Sequence, residues 1–112
     1  MPHLRIRSLS DKAVKDLSVS LPRELAIILS TPENNFTVEK IATTFYRAGE
    51  SVVEGEGDPL IEFLWFDRGT KVRDAAAKKV TELVKSFTKS EFIAVVFTDL
   101  PRDHYFENGT NF

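Results

Sequence analysis

The sequence contains no cysteine among its 112 residues, which excludes both disulfide bonds and thiol catalysis. It also lacks a basic surplus: 15 Lys and Arg stand against 17 Asp and Glu, whereas nucleic-acid binders usually carry a basic surplus or stripe. No apolar run approaches the roughly 20 residues that span a bilayer, and the start lacks the apolar core of a signal peptide. These absences predict a soluble, cytoplasmic protein that binds neither nucleic acid nor a membrane.

The motifs that hold metals and phosphates are absent as well. The two histidines, His3 and His104, stand far apart in the sequence without ligand spacing. The glycine-rich stretch at residues 55–59 (GEGDP) lacks the lysine and hydroxyl residue of a phosphate-binding loop, and its acids would repel phosphate. We therefore expect no metal site and no cofactor.

The first half of the chain predicts a strand, a helix and a second strand. Polarity alternates strictly over residues 2–7, which is typical of a half-buried strand. Ser10 and Asp11 then indicate a helix N-terminus, and apolar residues follow at helical spacing as far as Leu29. Pro22 interrupts that stripe and predicts a kink or a restarted helix. Residues 37–47 (TVEKIATTFYR) are rich in β-branched and aromatic residues and predict the second strand.

The second half repeats this order. Residues 49–59 are acidic and glycine-rich, which predicts a loop or a ragged hairpin. Residues 60–66 (LIEFLWF) form a nearly unbroken apolar run that is typical of a central strand. Gly69 and Thr70 end that strand and begin a second helix, and residues 92–98 (FIAVVFT) predict the last strand. The tail, residues 99–112, is polar and rich in turns.

The chain is thus strand–helix–strand written twice, as units of about 2–47 and 59–98 followed by the tail. This pattern predicts one α+β domain, residues 1–112, with a four-stranded mixed sheet and two helices on one face, because right-handed crossovers place both helices on the same side. The other face of the sheet is then uncovered. Its central strands are too apolar to face water, so we expect self-association through the sheet.

A proline directly after the initiator methionine, the doubled unit and the C-terminal run FTDLPRDHYFENGTNF together resemble the tautomerase superfamily, which includes macrophage migration inhibitory factor and 4-oxalocrotonate tautomerase. The tail has the family's ending: an Asp, an apolar residue, a loop, then an Asn and a terminal Phe. The stretches MPHLRIR, EFLWFDR and AVVF are similar to a small bacterial branch of the superfamily with no assigned reaction. The resemblance implies a homotrimer whose sheets form an inner barrel surrounded by helices.

The resemblance also implies a role for Pro2. In the family the amino-terminal proline is a general base that moves a proton between carbon and oxygen of a keto–enol pair. Removal of Met1 would give Pro2 a free secondary amine, whose ordinary pKa near 7.7–8 an apolar pocket would lower towards the working pH. The expected substrate is a small 2-oxo acid or enol. The alternative interpretation is that Pro2 merely opens the first strand, where a missing N–H costs nothing.

By position, further residues correspond to the pocket of the family. Arg68 follows the third strand and would bind a substrate carboxylate or the developing enolate, although it could equally be an exposed arginine at a strand end. Glu39 and Lys40 fall where relatives place pocket residues that reach a neighbouring subunit, and because adjacent strand residues face opposite ways at most one should enter a given pocket. Tyr105 and Phe106 match the part of the tail that walls the pocket.

Two other functions stay open on the sequence. One is a non-catalytic trimeric module of the same fold that binds a small anion or a protein partner. The other is a ferredoxin-like dimeric regulatory domain in which Pro2 is incidental.

Glu107, which stands near the place of a Trp in the best-known member of the family, leaves the substrate preference open. Glu62, the lone charge in its strand, should pair with an arginine of the first strand or serve the pocket.

Overall fold

The structure of the chain is a computed structural model that describes residues 1–53 and 56–112. Its helices are α1 (Asp11–Leu29) and α2 (Thr70–Val84). Its strands are β1 (His3–Arg7), β2 (Thr37–Lys40), β3 (Phe45–Arg47), β4 (Glu50–Val52), β5 (Leu60–Trp65), β6 (Ala94–Asp99), β7 (Phe106–Glu107) and β8 (Thr110–Asn111). Short 3₁₀ turns cover Glu33–Asn35, Lys85–Phe87 and Arg102–His104. Neither described helix combines the length and hydropathy that a bilayer-crossing segment needs.

Four strands form the main sheet in the order β2-β1-β5-β6. β1 is parallel to β2, β5 is parallel to β6, and the two central strands are antiparallel to each other. Each parallel pair is joined through a helix, so the sheet consists of two β-α-β units placed side by side. The predicted α+β fold with a mixed four-stranded sheet is therefore confirmed.

One hydrophobic core lies between the sheet and the two helices. Alternate residues of β1 and β5 enter it, and the aromatic side chains of Phe63 and Phe97 stack there with ring centroids 4.7 Å apart. The helices contribute stripes of buried apolar residues at helical spacing, including Leu17, Leu21 and Leu25 from α1. Burial of these side chains places both helices on the same face of the sheet, as the repeated pattern predicts.

Helix α1 begins and ends as its sequence dictates. Ser10 caps the first turn, because its hydroxyl oxygen accepts a hydrogen bond from the Ala13 N–H at 3.2 Å. Ser30 ends the helix in the left-handed conformation, with φ 51° and ψ 47°. The helix runs through Pro22 as one element. The prediction of a restarted helix at Pro22 is therefore wrong.

The predicted second strand is also too long. β2 ends at Lys40, and Phe45–Arg47 instead pairs with Glu50–Val52 in a separate antiparallel hairpin. Ala48 and Gly49 form its two-residue turn, with φ values of 52° and 82°. Residues 49–59, for which the sequence predicts a loop or a ragged hairpin, accordingly supply the second strand of this hairpin, and residues 54–55 lie outside the described residues.

The face of the sheet opposite the helices has a charged half and an apolar half. On β1, His3, Arg5 and Arg7 lie beside Glu39 of β2 and Glu62 of β5. The predicted pairing of Glu62 with an arginine of the first strand is confirmed, since the Arg7 guanidinium donates a hydrogen bond to its carboxylate. The apolar half consists of half-buried or exposed side chains on β5 and β6: Leu60, Leu64, Ala94 and Val96.

Candidate functional site

The start of the chain lies at an end of the sheet where four strands meet. Continuing the β1–β5 register by one residue places Pro2 opposite Trp65. The carbonyl oxygen of Pro2 accepts a hydrogen bond from the Thr37 N–H at 3.1 Å, and the carbonyl of Trp65 accepts one from the Leu100 N–H at 2.8 Å. The starts of β1 and β2 and the ends of β5 and β6 therefore surround the N-terminus.

Pro2 is deeply placed at this end. Its side chain is fully buried. The amino group of Met1, one residue earlier, lies 3.4 Å from the carbonyl oxygen of Asn35. Partial burial lowers the pKa of the Met1 amine below its ordinary value; the carboxylate of Glu107 opposes this change, and the guanidinium of Arg68 adds to it. The charges of Arg68 and Glu107 thus act directly on the chain start.

Arg68 is held by neutral oxygen atoms. Its Nη1 donates a hydrogen bond to the carbonyl oxygen of Phe66 at 2.8 Å, and its Nη2 donates one to Oγ1 of Thr31 at 3.2 Å. Its guanidinium carbon lies 5.8 Å from the centre of the Trp65 ring system. Burial lowers the pKa of Arg68, and the nearby charge of Arg102 lowers it further, although an arginine in a protein stays protonated. The site therefore holds a permanent cation that is already oriented.

Three aromatic side chains, Phe66, Tyr105 and Phe112, form what we call the aromatic wall. The Phe66 and Phe112 rings stack with centroids 6.0 Å apart, and Tyr105 meets Phe66 edge-on at 5.3 Å. The Tyr105 hydroxyl donates a hydrogen bond to Oε2 of Glu107 at 3.0 Å. Burial raises the pKa of Tyr105, and the hydrogen bond and charge of Glu107 raise it further. The wall gives the N-terminal end of the sheet an apolar flank with one polar edge.

Arg102 brings a second cation to this wall. Its guanidinium carbon lies 4.5 Å from the centre of the Phe66 ring. Within residues 1–53 and 56–112, neither Arg102 nor Arg68 is ion-paired with a carboxylate. Two unpaired guanidiniums beside an apolar wall and a chain terminus favour the binding of a small organic anion.

Residues 1–111 match the family described as a domain of unknown function, DUF1904. The chain belongs to the DUF1904 family. A DUF1904 protein of Sebaldella termitidis ATCC 33386, of known crystal structure, is 38% identical over 100% of both chains, with a TM-score of 0.91. No functionally curated protein matches the sequence.

More distant structures share the fold. The macrophage migration inhibitory factor-like protein of Entamoeba histolytica superposes with a TM-score of 0.77 over 99% of this chain and 98% of its own, at 13% identity. A fused 4-OT, described as the R7 wild-type asymmetric trimer, gives a TM-score of 0.83 over 98% of this chain and 95% of its own, at 16% identity. The predicted resemblance of this DUF1904 chain to the tautomerase superfamily is thereby confirmed for the fold.

The residues that the sequence predicts for the site are found in several places in the DUF1904 chain. Arg68 and Tyr105 lie together near the chain start. Phe106 is 57% exposed on β7 and makes none of the ring contacts of the aromatic wall in the described part of the chain. Glu39 and Lys40 face opposite sides of β2, as strand geometry requires.

Glu39 and Lys40 both have ionic partners within the chain. The Glu39 carboxylate lies 2.8 Å from His3 Nε2 and 3.1 Å from Arg5 Nε, and the hydrogen bond with His3 lowers the pKa of Glu39. The Lys40 ammonium lies 2.7 Å from the Asp11 carboxylate at the start of α1. Within one protomer, these contacts hold Glu39 on the open sheet face and Lys40 against α1, so neither side chain joins the aromatic wall.

Sequence reasoning missed Arg102, Phe66 and Thr31. Arg102 and Phe66 meet only because the tail folds back onto the end of β5, and Thr31 reaches Arg68 from the loop after α1. No local motif encodes either contact. The aromatic residues of the tail were the one available signal, since a polar, turn-rich segment has little reason to carry three aromatic side chains unless they pack on the body.

Two clefts of the protomer lie at the opposite end of the sheet. One of about 700 Å³ is lined by Glu56 and residues 86–90, and one of about 240 Å³ is lined by the β3–β4 hairpin and residues 56–58. In the hairpin cleft, Arg47 is already paired with Asp58 at 2.5 Å. The N-terminal end differs from the hairpin cleft because no carboxylate among residues 1–53 and 56–112 is ion-paired with its two arginines.

Proposed function

We propose that this DUF1904 chain is a tautomerase or related isomerase whose Pro2, freed by removal of Met1, acts as the general base on a small 2-oxo acid or enol. The observation that supports this proposal most strongly is the meeting of the chain start, the Arg68 guanidinium and the aromatic wall at one end of the sheet. A base, a cation and an apolar flank are what proton transfer next to a carbonyl requires.

The environment of Pro2 suits a base that works near neutral pH. A free α-amine has an ordinary pKa near 7.7–8. At the Met1 amine, one residue earlier, burial and the Arg68 guanidinium lower the pKa more than the Glu107 carboxylate raises it, and the Pro2 amine would lie between the same charges at a fully buried side chain. A lower pKa leaves the nitrogen neutral and able to accept a proton at neutral pH. The proline ring also fixes the direction of the nitrogen lone pair.

The proposed reaction is a proton transfer between two positions of the substrate. The Pro2 nitrogen takes the proton alpha to the carbonyl, or the enol proton in the reverse direction, and returns it to the other position. Negative charge builds on the carbonyl oxygen while the proton is on the nitrogen. Arg68 would stabilise that charge, or hold a neighbouring carboxylate with two parallel N–H donors.

The proposed assembly is a homotrimer that closes over the open sheet face. The fused 4-OT that shares this fold is described as a trimer. The half-exposed Val96 and its apolar neighbours on β5 and β6 are the surface that such a contact would bury. In this assembly Glu39, Lys40 and Phe106 would contribute to a pocket only across a subunit boundary. The absence of cysteine favours a cytoplasmic location.

An enol–keto assay with phenylpyruvate tests the proposal. Pro2→Ala should lower kcat/KM by about 10²-fold or more, the range of general-base catalysis. Arg68→Ala should lower it by a similar factor of about 10², because a preorganised cation is lost. Arg23→Ala, an exposed arginine on α1, is the matched control and should leave the rate unchanged. Undiminished activity in Pro2→Ala would remove Pro2 as the base.

A second candidate is a non-catalytic module that binds a small anion through the same arginines. Within the described residues no carboxylate is ion-paired with Arg68 or Arg102, which favours this candidate, because anion binding needs an available cation and no free amine. The intact mass of the protein from its native cells separates the two functions. A mass that lacks one methionine residue is required by the general-base proposal, whereas a retained Met1 makes the Pro2 nitrogen an amide and leaves only anion binding.

A further inference from the structure

We infer that Arg102 and Arg68 together form a two-cation cradle that selects a dianion, such as a small dicarboxylate, over a monoanion. The inference deepens the proposed function and rests on it, because the cradle lies at the same end of the sheet as Pro2. Arg102 would be the residue that determines this specificity. Nothing in the local sequence around Arg102 points to that role.

A single residue, Phe66, positions both cations. Its carbonyl oxygen accepts a hydrogen bond from Arg68 Nη1 at 2.8 Å, and its ring lies 4.5 Å from the guanidinium carbon of Arg102. Phe66 itself is only 4% exposed and directly follows β5. The two guanidiniums are therefore fixed relative to each other by a buried residue of the body.

The backbone around Arg102 is also fixed. The side-chain amide of Asn111 donates hydrogen bonds to the carbonyl oxygens of Arg102 and Tyr105, at 2.8 and 2.9 Å. The Phe112 N–H donates to the Tyr105 carbonyl at 3.1 Å, which closes the tail on itself. Arg102 therefore projects from a braced turn, so a bound ligand orders its side chain without also having to order its backbone.

The cradle has unused binding capacity. Arg68 spends one N–H of each Nη atom on neutral oxygens and keeps its remaining donors. The charge of Arg102 helps to lower the pKa of Arg68, so the two cations repel each other, and in the described part of the chain no carboxylate is ion-paired with either of them. A ligand with two carboxylates would relieve that repulsion at both cations, whereas a monocarboxylate could bind only one of the two guanidiniums at a time.

The acids on these segments have other hydrogen-bond donors. Glu107 accepts the Tyr105 hydroxyl hydrogen bond at 3.0 Å, and its charge acts on the terminal amine. Asp99 accepts a hydrogen bond from Trp65 Nε1 at 2.7 Å, and Asp67 accepts one from the Gly69 N–H at 2.8 Å. An incoming dianion therefore meets two guanidiniums that no carboxylate of the described residues pairs with, and the aromatic wall can still pack against its carbon chain.

Calorimetric titration of the whole chain tests the cradle, with malonate and succinate as dianions and propionate and butyrate as monoanions of matched length, at constant ionic strength. We expect the dianions to bind at least about tenfold more tightly, the effect of one additional charge-assisted hydrogen-bonded group. Arg102→Gln should abolish this preference, because it weakens dianion binding by about tenfold and weakens monoanion binding less. Arg102→Lys should keep part of the preference, because lysine keeps the positive charge but lacks the two parallel N–H donors of a guanidinium. Arg23→Gln removes the same charge from α1 and should have no effect.

Equal affinities for dianions and monoanions in the native protein would overturn the inference. So would a preference that survives in Arg102→Gln. The titration is repeated on Pro2→Ala, where the preference should persist because Pro2 supplies no charge to the cradle. Full turnover of Pro2→Ala in the enol–keto assay would refute the proposed function, and the persistence of the preference in the same variant would still support the cradle.

Discussion

The guanidinium of Arg102 lies over the ring of Phe66, with 4.5 Å between the guanidinium carbon and the ring centre. This contact joins the C-terminal tail to the end of β5, the strand that also leads to Arg68. Cation–π contacts of this kind contribute about 0.5–1 kcal/mol at exposed sites. Its main consequence is geometric, because it brings the tail, two cations and the chain start to one end of the sheet.

Phe66→Leu should loosen the C-terminal tail without unfolding the main sheet and its two helices. The variant retains an apolar side chain but loses the ring contacts with Tyr105, Phe112 and Arg102. We expect a loss of about 1–1.5 kcal/mol in the free energy of unfolding, because leucine fills less of the buried position and makes none of the ring contacts. Amide hydrogen exchange of residues 102–112 should rise more than that of β1 or β5. Phe106→Leu, at the exposed aromatic position of the same tail, is the control and should change neither quantity.

Ser30→Gly should stabilise the protein. Ser30 ends α1 with φ 51°, a left-handed conformation that glycine adopts without the steric cost of a Cβ atom. We expect a gain of about 0.5–1 kcal/mol in the free energy of unfolding by urea. Ser18→Gly, in the middle of the same helix, should instead cost about 0.5 kcal/mol. The same sign of change at both positions would contradict this account of how the helix ends.

Glu62 should make the folded state sensitive to acid. The hydrogen bond from Arg7 holds the pKa of Glu62 below its ordinary value of 4.5, although burial opposes that change. A carboxyl whose pKa is lowered on folding stabilises the folded state above the unfolded pKa, and this contribution is lost as the pH falls through the folded pKa. Glu62→Gln should therefore cost about 1–2 kcal/mol at pH 7 and little at low pH. Glu91→Gln, at an exposed site, should leave the difference between the two pH values unchanged.

Most of the fold was predictable from local pattern. The strict alternation over residues 2–7 persists in the structure as alternate burial on β1, because one face of that strand meets the core and the other does not. The prediction of a single strand over residues 37–47 was wrong, because their β-branched and aromatic composition favours a strand throughout and does not show where β2 ends. The turn that separates β3 from β4 uses Ala48 at positive φ, a residue that seldom marks such a turn, so the hairpin carried a weak signal.

The site was predictable only in part. Arg68 could be predicted for the candidate site because the resemblance to the tautomerase superfamily puts a pocket residue after the third strand, and Pro2 because of its position behind Met1. Arg102 could not, since it reaches Phe66 only through the fold of a tail whose sequence shows neither helical nor strand periodicity. Long-range contacts of this kind depend on the packing of the whole chain, and a single sequence does not encode them locally.

The most direct test of the account is an NMR titration of the Pro2 nitrogen in ¹⁵N-proline-labelled protein. We predict a secondary amine that titrates below the ordinary α-amine range of about 7.7–8, because burial and Arg68 disfavour the charged form of the terminal amine more than Glu107 favours it, as they do at Met1. Arg68→Gln should raise that midpoint, and Arg23→Gln should leave it unchanged. A Pro2 nitrogen that does not titrate, or one that titrates at or above the ordinary range, would contradict the proposal that Pro2 is the base.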